Sequence, residues 1–203
     1  MREGPIKSIL DLDDRELSIV FYKVSFVTKA RLRRVCKQWN RQLSASYFCK
    51  YVNLENHAGD ISNRFIKSMV LFVGSSLEYL NISNCGRITD EAIKLISTTC
   101  ENVRKFILSN CWKLSDFSLS YISQNMTNLE QLDISHGNKL VGMGFQNHKL
   151  TKLKRFNVSY CKAFSDKSLE KLFATTPEIT EVRIRRCTRL TEFGIFLIVR
   201  FCR

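Results

Sequence analysis

The sequence predicts an α/β solenoid: a row of strand–turn–helix units sharing one parallel sheet, preceded by a small all-α segment. Three observations carry this reading. The pattern Leu77-x-x-Leu80-x-Ile82-x-x-Cys85 returns from Val103, Leu129, Leu153 and Ile179, in steps of 26, 26, 24 and 26 residues. A fixed period of this length marks small units that bury their apolar faces only by stacking on one another. Within each unit, apolar and polar residues first alternate and then take helical spacing. Residues 8–50 lack the period and carry helical stripes instead.

In the amino-terminal segment, Leu17, Val20, Phe21 and Val24 fall at i, i+3, i+4 and i+7 and predict one helix. Leu32, Val35, Cys36 and Trp39 repeat that spacing and predict a second, with Thr28 placed to cap it. A third, short helix is expected around residues 42–50, with Tyr47 and Phe48 on its apolar side. About forty residues make too small a core to be secure alone, so the segment is expected to fold against the array or a partner. Residues 51–76 read as an atypical first unit, with Val52-Asn53-Leu54 as its strand and Phe65, Ile66, Met69 and Val70 on its helix. No Pro- or Ser-rich linker interrupts the chain, and one rigid body is expected, with residues 8–50 joined directly to an array spanning 51–203.

The five clear units share one grammar. Leu80/Ile82, Phe106/Leu108, Leu132/Ile134, Phe156/Val158 and Val182/Ile184 face inward from their strands. A basic turn follows, then a hydroxyl and an acid: Thr89-Asp90, Ser115-Asp116, Ser165-Asp166 and Thr191-Glu192. The hydroxyl suits a helix cap and the acid suits the positive end of the helix dipole. The third unit departs from this. Val141-Gly142-Met143-Gly144 stands where the others begin a helix, and each glycine costs about 1 kcal/mol relative to alanine there. A degenerate or very short helix is expected.

Cysteines 85, 111, 161 and 187 fill one repeat position, and Cys100 and Cys202 another. Equivalent slots in a stack point to buried thiols used for packing. No Cys-x-x-Cys and no histidine pair suits a metal, and no cofactor is expected. His57, His136 and His148 are scattered, no nucleophile stands at a recognisable elbow, and no enzyme is expected. Nothing approaches the eighteen or so apolar residues of a membrane span, and no secretory signal is visible. A reducing compartment, cytoplasmic and/or nuclear, is the expectation.

The units resemble the cysteine-containing subclass of leucine-rich repeats, with its buried Cys and its "C-x-x-L-T-D" turn. That resemblance implies a curved parallel sheet inside and helices outside. Leu12-Asp13-Asp14, Val20-Phe21 and Val35-Cys36-Lys37-Gln38-Trp39 are together similar to an F-box, with Asp13 in place of the family's proline. An F-box ahead of such repeats implies the substrate-recognition subunit of a Skp–cullin–F-box ubiquitin ligase. The implied adaptor-contact residues are Leu12, Leu17, Val20, Phe21, Val35 and Trp39, some of which must also pack the segment's own core.

Target contacts are expected on outward strand positions: Tyr79, Asn81, Lys105, Ile107, Gln131, Asp133, Arg155, Asn157, Arg183 and Arg185. The net charge of +13 is large for 203 residues. Arg87, Lys113, Lys139 and Arg189 share a solvated turn position, whereas Lys105, Arg155, Arg183 and Arg185, with Arg186, would make a positive patch. The expected partner is a protein with an acidic or phosphorylated contact surface. Two other readings stand beside this: a repeat scaffold with no ligase role, and, less favoured, a nucleic-acid-associated basic protein. In the last unit Phe196, Leu197, Val199 and Phe201 add apolar surface, which a partner, self-association or further repeats of a longer chain would each cover.

Overall fold

A computed structural model of the chain describes residues 9, 12–44, 46–145 and 150–202. The Tyr47 side chain and His148 lie outside the described residues. Four helices come first: α1 (Asp14–Tyr22), α2 (Phe26–Leu32), α3 (Lys37–Leu43) and α4 (Ser46–Cys49). The strands β1 (Tyr51–Asn53), β2 (Tyr79–Asn81), β3 (Lys105–Ile107), β4 (Gln131–Asp133), β5 (Arg155–Asn157) and β6 (Glu181–Arg183) follow. They form one sheet in chain order, every neighbouring pair parallel. Outside it lie α5 (Asn63–Val73), α6 (Asp90–Thr99), α7 (Asp116–Asn125), α8 (Asp166–Phe173) and α9 (Glu192–Phe201). This is a leucine-rich-repeat solenoid.

Asp13 begins the first helix. Its carboxylate accepts from the Arg15 and Glu16 N–H groups at 2.9 and 2.8 Å, and Glu16 accepts from the Asp13 N–H at 3.0 Å. The residue that replaces the family's proline is therefore half of a capping box. The single second helix expected from Leu32, Val35, Cys36 and Trp39 is corrected to two. The chain turns at residues 33–36, Ser25 rather than Thr28 caps α2, and Cys36 caps α3 through its sulfur. Phe26 and Val27 lie in α2 and join the solenoid core with Cys49. Arg33 stacks on Phe72 of α5 at 3.6 Å, fixing the helical segment to the first unit.

The inward strand residues and the helix stripes build one core running through the array, in which Leu80, Ile82, Phe106, Ile134, Val158 and Leu169 are wholly buried. A second, smaller cluster joins Leu17, Phe21, Trp39, Leu43 and Phe48, with Phe21 edge-on to Trp39 at 5.2 Å. After each of the five later strands one residue takes a left-handed conformation: Asn84, Asn110, His136, Tyr160 and Arg186, at φ 57 to 63°. Asparagine tolerates this; for the other three it costs on the order of 1 kcal/mol, and the repeat's turn imposes it regardless.

Helix starts are linked from unit to unit. Asp90 accepts from the Ser115 N–H and from the Ser115 and Ser118 hydroxyls, and Asp166 from the Thr191 N–H and hydroxyl. In the third unit no helix forms among the described residues. The N–H groups of Val141, Gly142 and Met143 turn instead onto the Asp116 carboxylate, at 2.9, 3.2 and 2.7 Å, with Gly142 at φ 86°. Glycine supplies the left-handed backbone that lets three successive donors converge.

Candidate functional site on the concave face

The register aligns the outward residues into two rows across the sheet. One runs Tyr51, Tyr79, Lys105, Gln131, Arg155, Glu181; the other runs Asn53, Asn81, Ile107, Asp133, Asn157, Arg183. Strand spacing sets neighbours in a row about 4.8 Å apart. Over β3 to β6 they line an open basin of about 200 Å³ that includes Lys105, Ile107, Gln131, Asp133, Arg155, Asn157 and Arg183. Seven of the ten expected target-contact positions thus share one surface. Arg185 is exposed beyond β6, outside the basin lining.

The second row is partly structural. Asn81 is only 5% exposed, so it offers a target little surface. Its side chain donates to Glu55 at 3.1 Å and accepts from the Ser83 N–H and hydroxyl, so the atypical first unit covers it. Asp133 accepts from the N–H and hydroxyl of Ser135 at 2.9 and 2.6 Å, and Asn157 from the Ser159 N–H at 3.1 Å. Asn157 also donates to Asp133 at 2.7 Å. These side chains close the turns that end their strands, and only their half-buried flanks reach the basin.

The first row is freer. Tyr51 and Tyr79 stack at 4.0 Å, and Lys105 lies over the Tyr79 ring at 5.4 Å. Burial, then the hydrogen bond with Tyr51, pushes the Tyr79 phenol far above its ordinary range, so its hydroxyl stays neutral. Glu181, which was not among the expected contacts, sits 3.8 Å from Arg155 and accepts from the Arg183 Nε at 2.5 Å. The expected positive patch is therefore a mixed one: Glu181 and Asp133 interrupt Lys105, Arg155 and Arg183. The outward alternation of β6 includes Glu181 as surely as Arg183, so the sequence carried this signal.

At the amino-terminal segment, Leu17 and Phe21 are fully buried and Trp39 is 5% exposed, all within the segment's own cluster. All three pack the segment's own core, the role expected of some of the implied adaptor contacts. Leu12 and Val20 are partly buried against the same cluster. Val35 is 53% exposed, and Ile19 and Tyr22 are bare on α1 at 61% and 80%. Ile19 and Tyr22 escape the stripe argument because they lie opposite the inward positions.

Among the described residues no three His, Cys, Asp or Glu side chains gather as a metal site, and no helix is long and apolar enough to cross a membrane. Cys85, Cys111, Cys161 and Cys187 are buried; the last three reach backbone carbonyls of the preceding unit through their sulfur.

A family model described as Leucine Rich repeat matches residues 75–97 and 149–173. No curated protein matches the chain. A chain in the crystal structure of the Rad7 and Elc1 complex in yeast is similar, at TM-score 0.52 and 14% identity, over 67% of this chain and 42% of that one. This chain thus spans less than half of that relative's length. The tropomodulin C-terminal domain of Caenorhabditis elegans is similar at TM-score 0.53 and 13% identity, over 70% of this chain and 92% of that one.

Proposed function

We propose that the chain is a protein-binding repeat scaffold that serves as the substrate-recognition subunit of a Skp–cullin–F-box ubiquitin ligase. The observation that carries this is the state of the amino-terminal helices. They close their own core and still leave Ile19, Tyr22 and Val35 uncovered, while Phe26, Val27 and Arg33 hold them rigidly to the array. A handle of this kind, docked on a Skp-type adaptor, sets a target on the concave face at a fixed place beside the cullin-borne machinery. Rigid bridging replaces a bimolecular encounter by a nearly intramolecular one. The similar yeast structure is of Rad7 in complex with Elc1, and this reading places the present chain in a complex of the same general kind.

The basin selects the target. Lys105 and the pair Arg155 and Arg183 favour an acidic or phosphorylated segment, with Tyr79 and Ile107 offering apolar contact. Asp133 and Glu181 break the continuity that a phosphate-tracking groove would need, which disfavours nucleic acid as the occupant.

The test is binding of a purified Skp-type adaptor to the full chain, with an Ile19→Glu/Tyr22→Glu form and a Val35→Glu form beside it. These positions are exposed, so the variants keep the circular dichroism and melting of the parent. Saturable binding lost in the variants supports the proposal. A chain that folds normally yet never retains the adaptor leaves the scaffold without a ligase role.

A further inference from the structure

We infer that the edge of the arc where the strands end binds single-stranded nucleic acid, its phosphates on Arg87, Lys113, Lys139 and Lys162 and its bases on Trp112 and the His136–Tyr160 pair.

Residues 84–88, 110–114, 136–140 and 160–164 make successive turns along this edge, and none of the four contains Asp or Glu. Each exposes one cation: Arg87, Lys113, Lys139 or Lys162. Among the described residues none of these enters an ion pair, and Arg87 touches the Gly59 carbonyl at 3.5 Å. The acids that follow the turns, Asp90, Asp116 and Asp166, are aimed at donors of the next unit. Asp133 and Glu181 interrupt the cations of the basin, whereas these turns are of one sign. Strand spacing sets them about 4.8 Å apart, so the row covers about 15 Å, the length of a few nucleotides.

Aromatic rings lie among the charges. A β-carbon on Gly86 would fall 1.8 Å from Cζ2 of Trp112 and 1.9 Å from its Cη2, so glycine lets the indole settle on the preceding turn. Trp112 is still 48% exposed there. In the next two units the left-handed position, filled earlier by Asn84 and Asn110, holds His136 and Tyr160 at φ 60 and 63°. That conformation is costlier for these residues than for asparagine, and costly backbone collects where a side chain is put to use. The two rings stack 4.4 Å apart with 10° between their planes, His136 exposed and Tyr160 half-buried. Their N–H groups donate to Ser159 and Arg185 of the following units at 2.9 and 2.6 Å, which fixes the pair before a ligand arrives.

The occupant follows from this composition. Cations beside aromatic faces suit a single strand, with charge for its backbone and rings for its unpaired bases. A duplex keeps its bases from such rings. The apolar residue closing each turn, Ile88, Leu114, Leu140 or Phe164, is buried. The edge therefore has neither a groove for peptide side chains nor aliphatic chains to enter a lipid layer. RNA and DNA share the phosphates and base faces that it would use.

The test is fluorescence anisotropy of labelled oligo-uridine and oligo-deoxythymidine with the full chain, beside a duplex and poly-glutamate of matching length. Binding of either single strand more tightly than duplex or poly-glutamate supports the inference, and the tighter of the two assigns RNA or DNA as the source. Emission of Trp112 should be quenched, Trp39 being buried. Trp112→Ala and Tyr160→Ala are each expected to weaken binding about tenfold. Lys113→Gln/Lys139→Gln should lower the slope of log affinity against log salt by about 1.4. Lys67→Gln/Lys94→Gln removes the same charge from α5 and α6 and should leave that slope unchanged. All four lysines are exposed, so both forms keep the circular dichroism of the parent. Binding no tighter than to duplex or poly-glutamate overturns the inference. So do equal losses in the two lysine pairs, or capture by phosphatidylserine vesicles with neither oligonucleotide bound. No adaptor enters these readouts, so their outcome is independent of the ligase proposal.

Discussion

Asp116 Oδ2 accepts a 2.7 Å hydrogen bond from the Met143 N–H, and this contact takes the place of a helix start in the third unit. The same carboxylate also accepts from Val141 and Gly142. Charged acceptors hold such bonds at about 1.5–3 kcal/mol each, but the loop re-solvates once they break. Asp116→Ala is therefore expected to lower stability by about 2–4 kcal/mol, read from urea unfolding followed by circular dichroism. A loss below half a kilocalorie would show that the loop holds itself.

Gly144 is closed in against the start of α7. A β-carbon there would come within 2.3 Å of the Asp116 carbonyl oxygen and 2.8 Å of the Ser120 nitrogen, both backbone atoms. Gly144→Ala should destabilise by about 1–3 kcal/mol, the usual cost of overpacking, although it relieves glycine's entropy in the unfolded chain. An unchanged or raised midpoint would refute this placement.

Phe26 is 5% exposed and packs on Phe72 at 6.0 Å, across the junction of helices and repeats. Phe26→Ala is expected to cost about 3–5 kcal/mol. The parent should melt in one transition, and the variant should lose the amino-terminal helices first. Hydrogen exchange resolved by segment would reveal this as early exchange of residues 14–49 ahead of the array.

The thiols of Cys85, Cys100, Cys111 and Cys161 are pushed by burial to about 12, from an ordinary 9.0. Below pH about 9 both folded and unfolded chains hold these protons, and they contribute no pH dependence. Above it the unfolded chain loses them first, so stability falls as pH rises through the window from about 9 to about 12. Urea midpoints measured on both sides of that boundary should decline on the alkaline side, with Cys100→Ala flattening the slope. A thiol reagent at neutral pH should modify exposed Cys36 in the native state and leave these four untouched until unfolding.

Asp133 serves both a turn and the electrostatics of the basin. Asp133→Asn keeps an oxygen for Ser135 but turns its NH2 onto the Asn157 donor and removes the charge, so a stability loss of about 1–3 kcal/mol is expected. Binding of an acidic or phosphorylated peptide should tighten several-fold, and its salt dependence should steepen. Titration calorimetry at two salt concentrations checks both. Unchanged affinity would put the contact elsewhere on the arc.

Repetition made most of the architecture readable. An inward pair such as Phe106/Leu108 recurs at one spacing, so strand, register and buried Cys follow together. Where the period fails, so does the reading. Leu32, Val35, Cys36 and Trp39 match one helical face, and nothing in their spacing reveals that Cys36 has an extended backbone and caps a new helix. Burial of Asn81 depends on Glu55, which reaches it from the atypical first unit across 26 residues of chain. The division of Leu17, Phe21 and Trp39 from Val35 depends on how three short helices pack, and a stripe on each helix does not determine that.

Among the described residues no helix backs β4 in the outer layer, while the sheet beneath runs unbroken from β1 to β6. A curved two-layer plate is most pliable where one layer is missing, and here that place lies directly behind β4. Bending between the units that bear Lys105 and Arg155 is therefore expected to concentrate behind Gln131, held in check by the Asp116 contacts with Val141, Gly142 and Met143.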